Sequence, residues 1–262
     1  MDITFLKLGG SLITVKDEPL TARHDVIERI AGEIATALNH KPDLRLVVGH
    51  GSGSFGHSAG KRHGTREGVR TAQQWRGFAE VGLVAAQLNQ IVGEALAEAG
   101  IPVFRVAPSA LVSCVDGAII RMHLAPIRAA LEAGLIPLVY GDVAFDMNQG
   151  GTIVSTEDVF TFMAGELFPK RILLAGAYAG VYGNDGQVIP RITLDNFDEI
   201  RSALGASESP DVTGGMESKV IAILDLCDTI RGTHAYVFSG EKVGAIQAAL
   251  IGSTIEGTHI SG

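Results

Sequence analysis

Apolar residues in this chain follow two spacings in turn. Short, mostly apolar runs occur at Ile3–Leu8, Leu44–Val48, Val103–Val106, Ile136–Tyr140, Arg171–Leu174 and Ala235–Phe238. Such runs are the mark of strands buried on both faces. Between them the apolar residues recur every three or four positions. Val26, Ile27, Ile30, Ala31, Ile34, Ala37 and Leu38 predict a helix over Arg23–Leu38. Similar spacing predicts helices over Ala72–Gly100, Pro126–Ala133, Ser155–Leu167, Phe197–Leu204, Met216–Leu226 and Lys242–Ile251, with an edge strand at Gly257–Ile260. Strands alternating with helices imply an α/β fold with a mostly parallel central sheet covered on both faces. The polar, glycine-bearing stretch His57–Gly68 is expected to be a mobile segment over a site. A division near residue 170 is possible, although no composition shift marks it.

Composition narrows the function. The 262 residues are 46% hydrophobic, enough for a substantial core. The 21 basic and 29 acidic residues give a net charge of −8, which disfavours nucleic acid as a partner but not small phosphorylated molecules. Cys114 and Cys227 lack metal-ligand spacing and read as core thiols in a reducing compartment. The chain enters a strand directly after Met1, without a signal-peptide pattern, and no apolar run reaches about 18 residues. A cytoplasmic protein with no membrane span is expected.

Three glycine-rich turns carry the chemistry. Gly49-His50-Gly51-Ser52-Gly53-Ser54-Phe55-Gly56-His57 follows a predicted strand. Its glycines let bare N–H groups converge on an anion, and its histidines add donors. Gly51, Gly53 and Gly56 have the spacing of a dinucleotide fingerprint, but no apolar helical stripe follows. A tight turn without a ligand would not need two histidines and two serines. Lys7-Leu8-Gly9-Gly10-Ser11 is the second turn; it is not a P-loop, yet Lys7 lies near the C-terminal end of an apolar strand, where ligand crevices open. Lys16 either reaches the same site or is a solvated loop charge. The third turn, Asp211-Val212-Thr213-Gly214-Gly215-Met216, runs into a helix whose first turn holds Lys219. A cation there is mild evidence for an anion facing it. Three glycine turns and three lysines fit phosphoryl transfer between phosphorylated ligands.

These turns, with Tyr140-Gly141-Asp142-Val143, resemble the amino acid kinase superfamily from Ile3 to about Phe238, and the histidine-flanked loop resembles its isopentenyl phosphate kinases. The resemblance implies an open αβα sandwich, usually a homodimer, that moves the γ-phosphate of ATP, with Mg²⁺, onto isopentenyl phosphate. It implies one kinase domain in two lobes, 1–170 for the phosphate acceptor and 171–262 for the nucleotide. Lys7, Gly9, Gly10 and Ser11 would hold the ATP phosphates, and Lys16 the transferring group. Ser52 and His57 would bind the acceptor phosphate, with His50 structural. Gly53, Ala177, Gly215 and Lys219 would contact ATP. Thr156 and Glu157, within Ser155-Thr156-Glu157-Asp158, stand where the family has Ser-Gly-Asp-Asp, at the acceptor. Gly176-Ala177-Tyr178-Ala179-Gly180 stands where the superfamily often has Thr-Asp-Val-Asp-Gly, so both acids are gone. The apolar acceptor tail is expected against Val81, Leu83, Val84, Ala85, Leu88 and Val92. A kinase of another small phosphate or phosphonate, such as fosfomycin, and a non-catalytic nucleotide sensor are the alternatives.

Overall fold

The computed structural model describes residues 2–204 and 216–262, apart from the side chains of residues 57, 58, 202–204 and 216. In chain order the first half runs β1 (Ile3–Leu8), α1 (Gly10–Ile13), α2 (His24–His40), β2 (Arg45–His50), α3 (Gly53–His63), α4 (Ala72–Glu98) and β3 (Val103–Arg105). Then come β4 (Val112–Val115), β5 (Ala118–Met122), α5 (Ala125–Glu132), β6 (Ile136–Tyr140), β7 (Asp142–Asp146), β8 (Gly150–Val154) and α6 (Thr156–Leu167). The remainder is β9 (Arg171–Gly176), β10 (Arg191–Ile192), α7 (Leu194–Leu204), α8 (Met216–Thr229), β11 (His234–Ser239), α9 (Ala245–Ile251) and β12 (Gly257–Ser261).

The main sheet has the order β10-β12-β11-β9-β1-β2-β6-β3 and is parallel except where β12 meets β11. Alternation along β1 decides which layer each residue meets. Ile3 and Phe5 face the core shared with α5, α6 and α8, and the Phe5 ring lies 4.9 Å from that of Phe160. Leu6 and Leu8 face the opposite core with α2, α4 and α9. Lys7 therefore falls on the α6 side. The sheet passes without a break from residues before 170 to residues after it, because β1 pairs with β2 on one edge and β9 on the other.

Two features of the fold were not foreseen. The stretch after the glycine turn, His57–Gly68 expected as a mobile segment, begins inside a helix: α3 covers Gly53–His63. Only Phe55 and Ala59 give it a buried apolar face, too short a stripe to reveal it, and polar contacts add to that packing. Arg62 and His63 bond Glu80 of α4 at 2.8 and 2.9 Å, and a side chain at Gly77 would strike the His63 ring. The second unforeseen feature is a small sheet, β5-β4-β7-β8, over this end of the molecule. Its strands are short, exposed and buried positions alternate along β4, and β5 is mostly exposed, so no buried apolar run announced them. The thiols of Cys114 and Cys227 are buried, and burial pushes both up to about 11.

Candidate active site

The turns after β1 and β2 meet in the centre of the sheet, at the C-terminal ends of the strands. From β1 the chain winds toward β2 and β6 on one side, and β9 and β11 take the other side. A crevice opens where such a sheet changes direction. The two turns touch backbone to backbone. A Cβ on Gly10 would lie 2.4 Å from Gly53 N, and one on Gly51 would lie 2.9 Å from Gly10 N. Gly53 has φ +48, and a Cβ there would lie 2.1 Å from Thr14 Oγ1. Thr14 binds the turns together: its hydroxyl donates to Gly10 O at 2.8 Å and accepts from Ser54 N at 3.0 Å. Gly9 N donates to Ala175 O at 2.8 Å, and Gly240 N to Gly176 O at 2.8 Å, joining the ends of β9 and β11 to the same edge.

Lys7 sits under this junction. Its Nζ is 2.5 Å from Glu157 Oε1, in the first turn of α6. Burial, the largest influence, pushes the Glu157 carboxyl up; the Lys7 charge and hydrogen bond, with Lys219, overcome it and hold the group below its ordinary range. The charge of Lys219 thus acts on Glu157 as well, while Lys7 is the lysine that bonds it. Ser155 and Asp158 close a capping box that fixes the start of α6.

Other predicted residues fall differently. Lys16 is exposed on the loop between Val15 and Thr21, whose ends are joined by Val15 N donating to Thr21 O at 3.0 Å. Ser11 is exposed in α1. The Thr156 hydroxyl, expected at the acceptor, is buried and donates to His50 O at 2.5 Å. Glu157, expected there too, is engaged by Lys7, and a free carboxylate would repel a phosphate. Ala177 is half-buried just past β9. Gly215 and the His57 side chain lie outside the described residues, although the backbone of His57 belongs to α3. The expected apolar wall is divided. Leu88 and Val92 belong to the main core, Leu83 is exposed, and Val81 joins Ala59, Val69, Phe78 and Val143 in a separate cluster against which Val84 and Ile153 pack.

His50 is fully buried and stacks on Tyr140, ring centroids 5.7 Å apart and planes within 7°. Burial, aided by Arg105, outweighs a bond to Gly51 and lowers the imidazole to about 4. It is neutral near pH 7. Below it, Asp142 accepts from Ser109 N at 3.1 Å and Val143 N at 2.8 Å, and burial raises its carboxyl.

Several supporting residues had no place in the reading of the sequence. Asn89 lies on the apolar face of α4 and contacts His50. Glu33, on the apolar face of α2, accepts from Gly244 N and Ile246 N, both at 2.9 Å, and so caps α9. Arg29, bonded to Glu33, also holds Gly240 O at 2.7 Å. The available signal was a polar residue within an apolar stripe, since such a residue stays buried only with partners.

A mostly parallel sheet with touching glycine turns at its switch point, and a lysine–carboxylate pair beneath them that feels a second lysine, is the arrangement of a class of phosphotransferase. Residues 2–239 match the Amino acid kinase family, and the chain belongs to it. Within that family it is 34% identical to the isopentenyl phosphate kinase of Methanocaldococcus jannaschii, over 98% of each chain. It is 37% identical to that of Haloferax volcanii over 95% of this chain and 96% of the relative. A crystal structure of isopentenyl phosphate kinase superposes with a TM-score of 0.83 at 30% identity, covering 98% of this chain and all of the other.

Proposed function

We propose that this kinase transfers the γ-phosphoryl group of ATP to isopentenyl phosphate, yielding isopentenyl diphosphate and ADP. An acceptor phosphate oxygen attacks the γ-phosphorus as the bond to the β–γ bridging oxygen breaks. Little covalent work is asked of the protein, so positioning and charge neutralisation carry the catalysis. The observation that carries the reading is the Lys7–Glu157 pair, within reach of Lys219, beneath two touching glycine turns.

In this reading Gly9, Gly10 and Ser11 hold the ATP phosphates between the lobes. Ser52 and His57 hold the acceptor phosphate on the 1–170 side, and Gly53 approaches ATP. Ala177, Gly215 and Lys219 serve the nucleotide on the 171–262 side. Lys16, on its exposed loop, closes on the transferring group. Glu157 keeps Lys7 oriented, and Lys7 gives its charge to the phosphoryl group when the substrates bind. Magnesium would supply further charge neutralisation when bound. In this reading the cation is carried on the nucleotide's phosphates. No helix among the described residues is long and apolar enough to cross a membrane; a cytoplasmic location is part of this reading. A homodimer is part of this reading; Phe145, 60% exposed, rests against the half-buried Trp75 and the buried Phe78 and would be covered by such an association.

The test is to incubate the purified protein with Mg-ATP and isopentenyl phosphate and follow the phosphorus spectrum. Isopentenyl diphosphate should appear with equimolar ADP. Turnover of fosfomycin with none of isopentenyl phosphate would give the site to the alternative substrate, and ATP binding without transfer would make it a sensor.

A further inference from the structure

The buried histidine at the end of β2 has a job that packing alone does not explain. Arg105 Nε lies 2.9 Å from Asn89 Oδ1. An arginine Nε only donates, so the amide oxygen must face it. The Asn89 NH₂ is thereby turned to His50 Nε2, 3.1 Å away. That nitrogen must accept, so the single ring proton lies on Nδ1. His50 Nδ1 is 3.1 Å from Gly51 O and donates to it. A chain of assignments starting at Arg105 therefore fixes one carbonyl of the glycine turn.

A trans peptide is planar, with its C=O and N–H pointing opposite ways. Gly51 O and Ser52 N–H belong to one peptide unit. With the carbonyl held inward against the imidazole, the Ser52 N–H faces away from the core, and among the described residues it meets no acceptor. Gly51 can carry no side chain, because a Cβ would lie 2.9 Å from Gly10 N. It adds no steric restraint on this peptide's rotation, and glycine tolerates either orientation.

We infer that His50 is a positioning residue for the reaction: its Nδ1–H selects the orientation of the Gly51–Ser52 peptide that presents the Ser52 N–H to the acceptor phosphate. The inference rests on the proposed acceptor site. It adds that the acceptor affinity is set from inside the core, by a residue that never touches the substrate.

Two substitutions separate this from a packing role. His50→Phe keeps a ring against Tyr140 but has no donor. His50→Asn places an amide NH₂ near the Nδ1 position. His50→Phe should raise the KM for isopentenyl phosphate at least tenfold, with kcat and the KM for ATP within about twofold per folded molecule, and His50→Asn should recover most of the loss. An unchanged acceptor KM in folded His50→Phe, or equal impairment in folded His50→Asn, would overturn the inference. The wild-type protein supplies a check that needs no variant. Nitrogen-15 spectra of the His50 ring should show the neutral Nδ1–H form, and the Ser52 amide should shift on adding isopentenyl phosphate. An Nε2–H ring, an imidazolium, or a silent Ser52 amide in a protein that binds this acceptor would refute it. Absence of any acceptor turnover would instead count against the proposed function, leaving the ring measurement to decide the tautomer.

Discussion

An ammonium in an apolar strand persists only with a partner, and an imidazole in a core persists by staying neutral. Lys7 takes the first course and His50 the second. Lys7→Met, similar in length but uncharged, should lower kcat far more than it raises either KM. Glu157→Gln should lower kcat about tenfold through a misplaced Lys7, with Glu157→Asp closer to wild type, as steady-state assays will read. For His50, the folded value of about 4 lies below the ordinary 6.5. As pH falls from 6.5 toward 4 the unfolded chain takes up a proton that the folded chain refuses, so stability drops. The loss totals about 3 kcal/mol and levels off below pH 4, where both states are protonated. Urea titrations from pH 7 to 4 should show this slope in wild type and its absence, relative to other groups, in His50→Phe. Gly10→Ala sets a methyl group 2.4 Å from a backbone nitrogen and should cost about 1–3 kcal/mol or more, together with activity. Gly32→Ala, in the interior of α2 with nothing within 4 Å, should stabilise by up to about 1 kcal/mol, the two melting curves moving in opposite directions.

The strands and helices of the main sheet were legible because burial on two faces leaves continuous apolar runs, and burial on one face leaves a helical stripe. Lys7 was legible as a charge in the wrong place. α3 was not legible, since only Phe55 and Ala59 mark its buried face and its other contacts, Ser54 with Thr14 and His63 against Gly77, are made to residues distant in sequence. Nor could spacing separate the fates of the α4 side chains. Leu88 and Val92 face α2, whereas Val81 and Val84 face α3 and the small sheet. We propose that Val81 and Val84, rather than Leu88 and Val92, form the wall for the acceptor's tail. Val84→Phe should lower the ratio of kcat/KM for geranyl phosphate over isopentenyl phosphate severalfold, because overfilling such a wall costs about 1–3 kcal/mol. Leu88→Phe should instead lower the melting temperature and leave that ratio unchanged.

Across the whole molecule, the paired glycine turns sit where the two halves of one sheet diverge, and the end of β11 and the start of α9 are braced from α2 by Arg29 and Glu33. The segment past β9 holds Ala177 and Ala179 in place of acids, with Tyr178 exposed beside Tyr182. Without those carboxylates the nucleotide side should discriminate poorly among bases, and GTP should support turnover within about tenfold of ATP; GTP at background would count against this. The placing of β1 between β2 and β9 also bears on how the protein is made. A ribosome delivers β1 first and β9 only after residue 170. Until then the central strand of the finished sheet has one naked edge, a template for pairing with other chains. A fragment ending at residue 170 should therefore aggregate rather than survive as a half-enzyme, and growing chains of this protein should be clients of whatever shields unpaired strands at the tunnel exit.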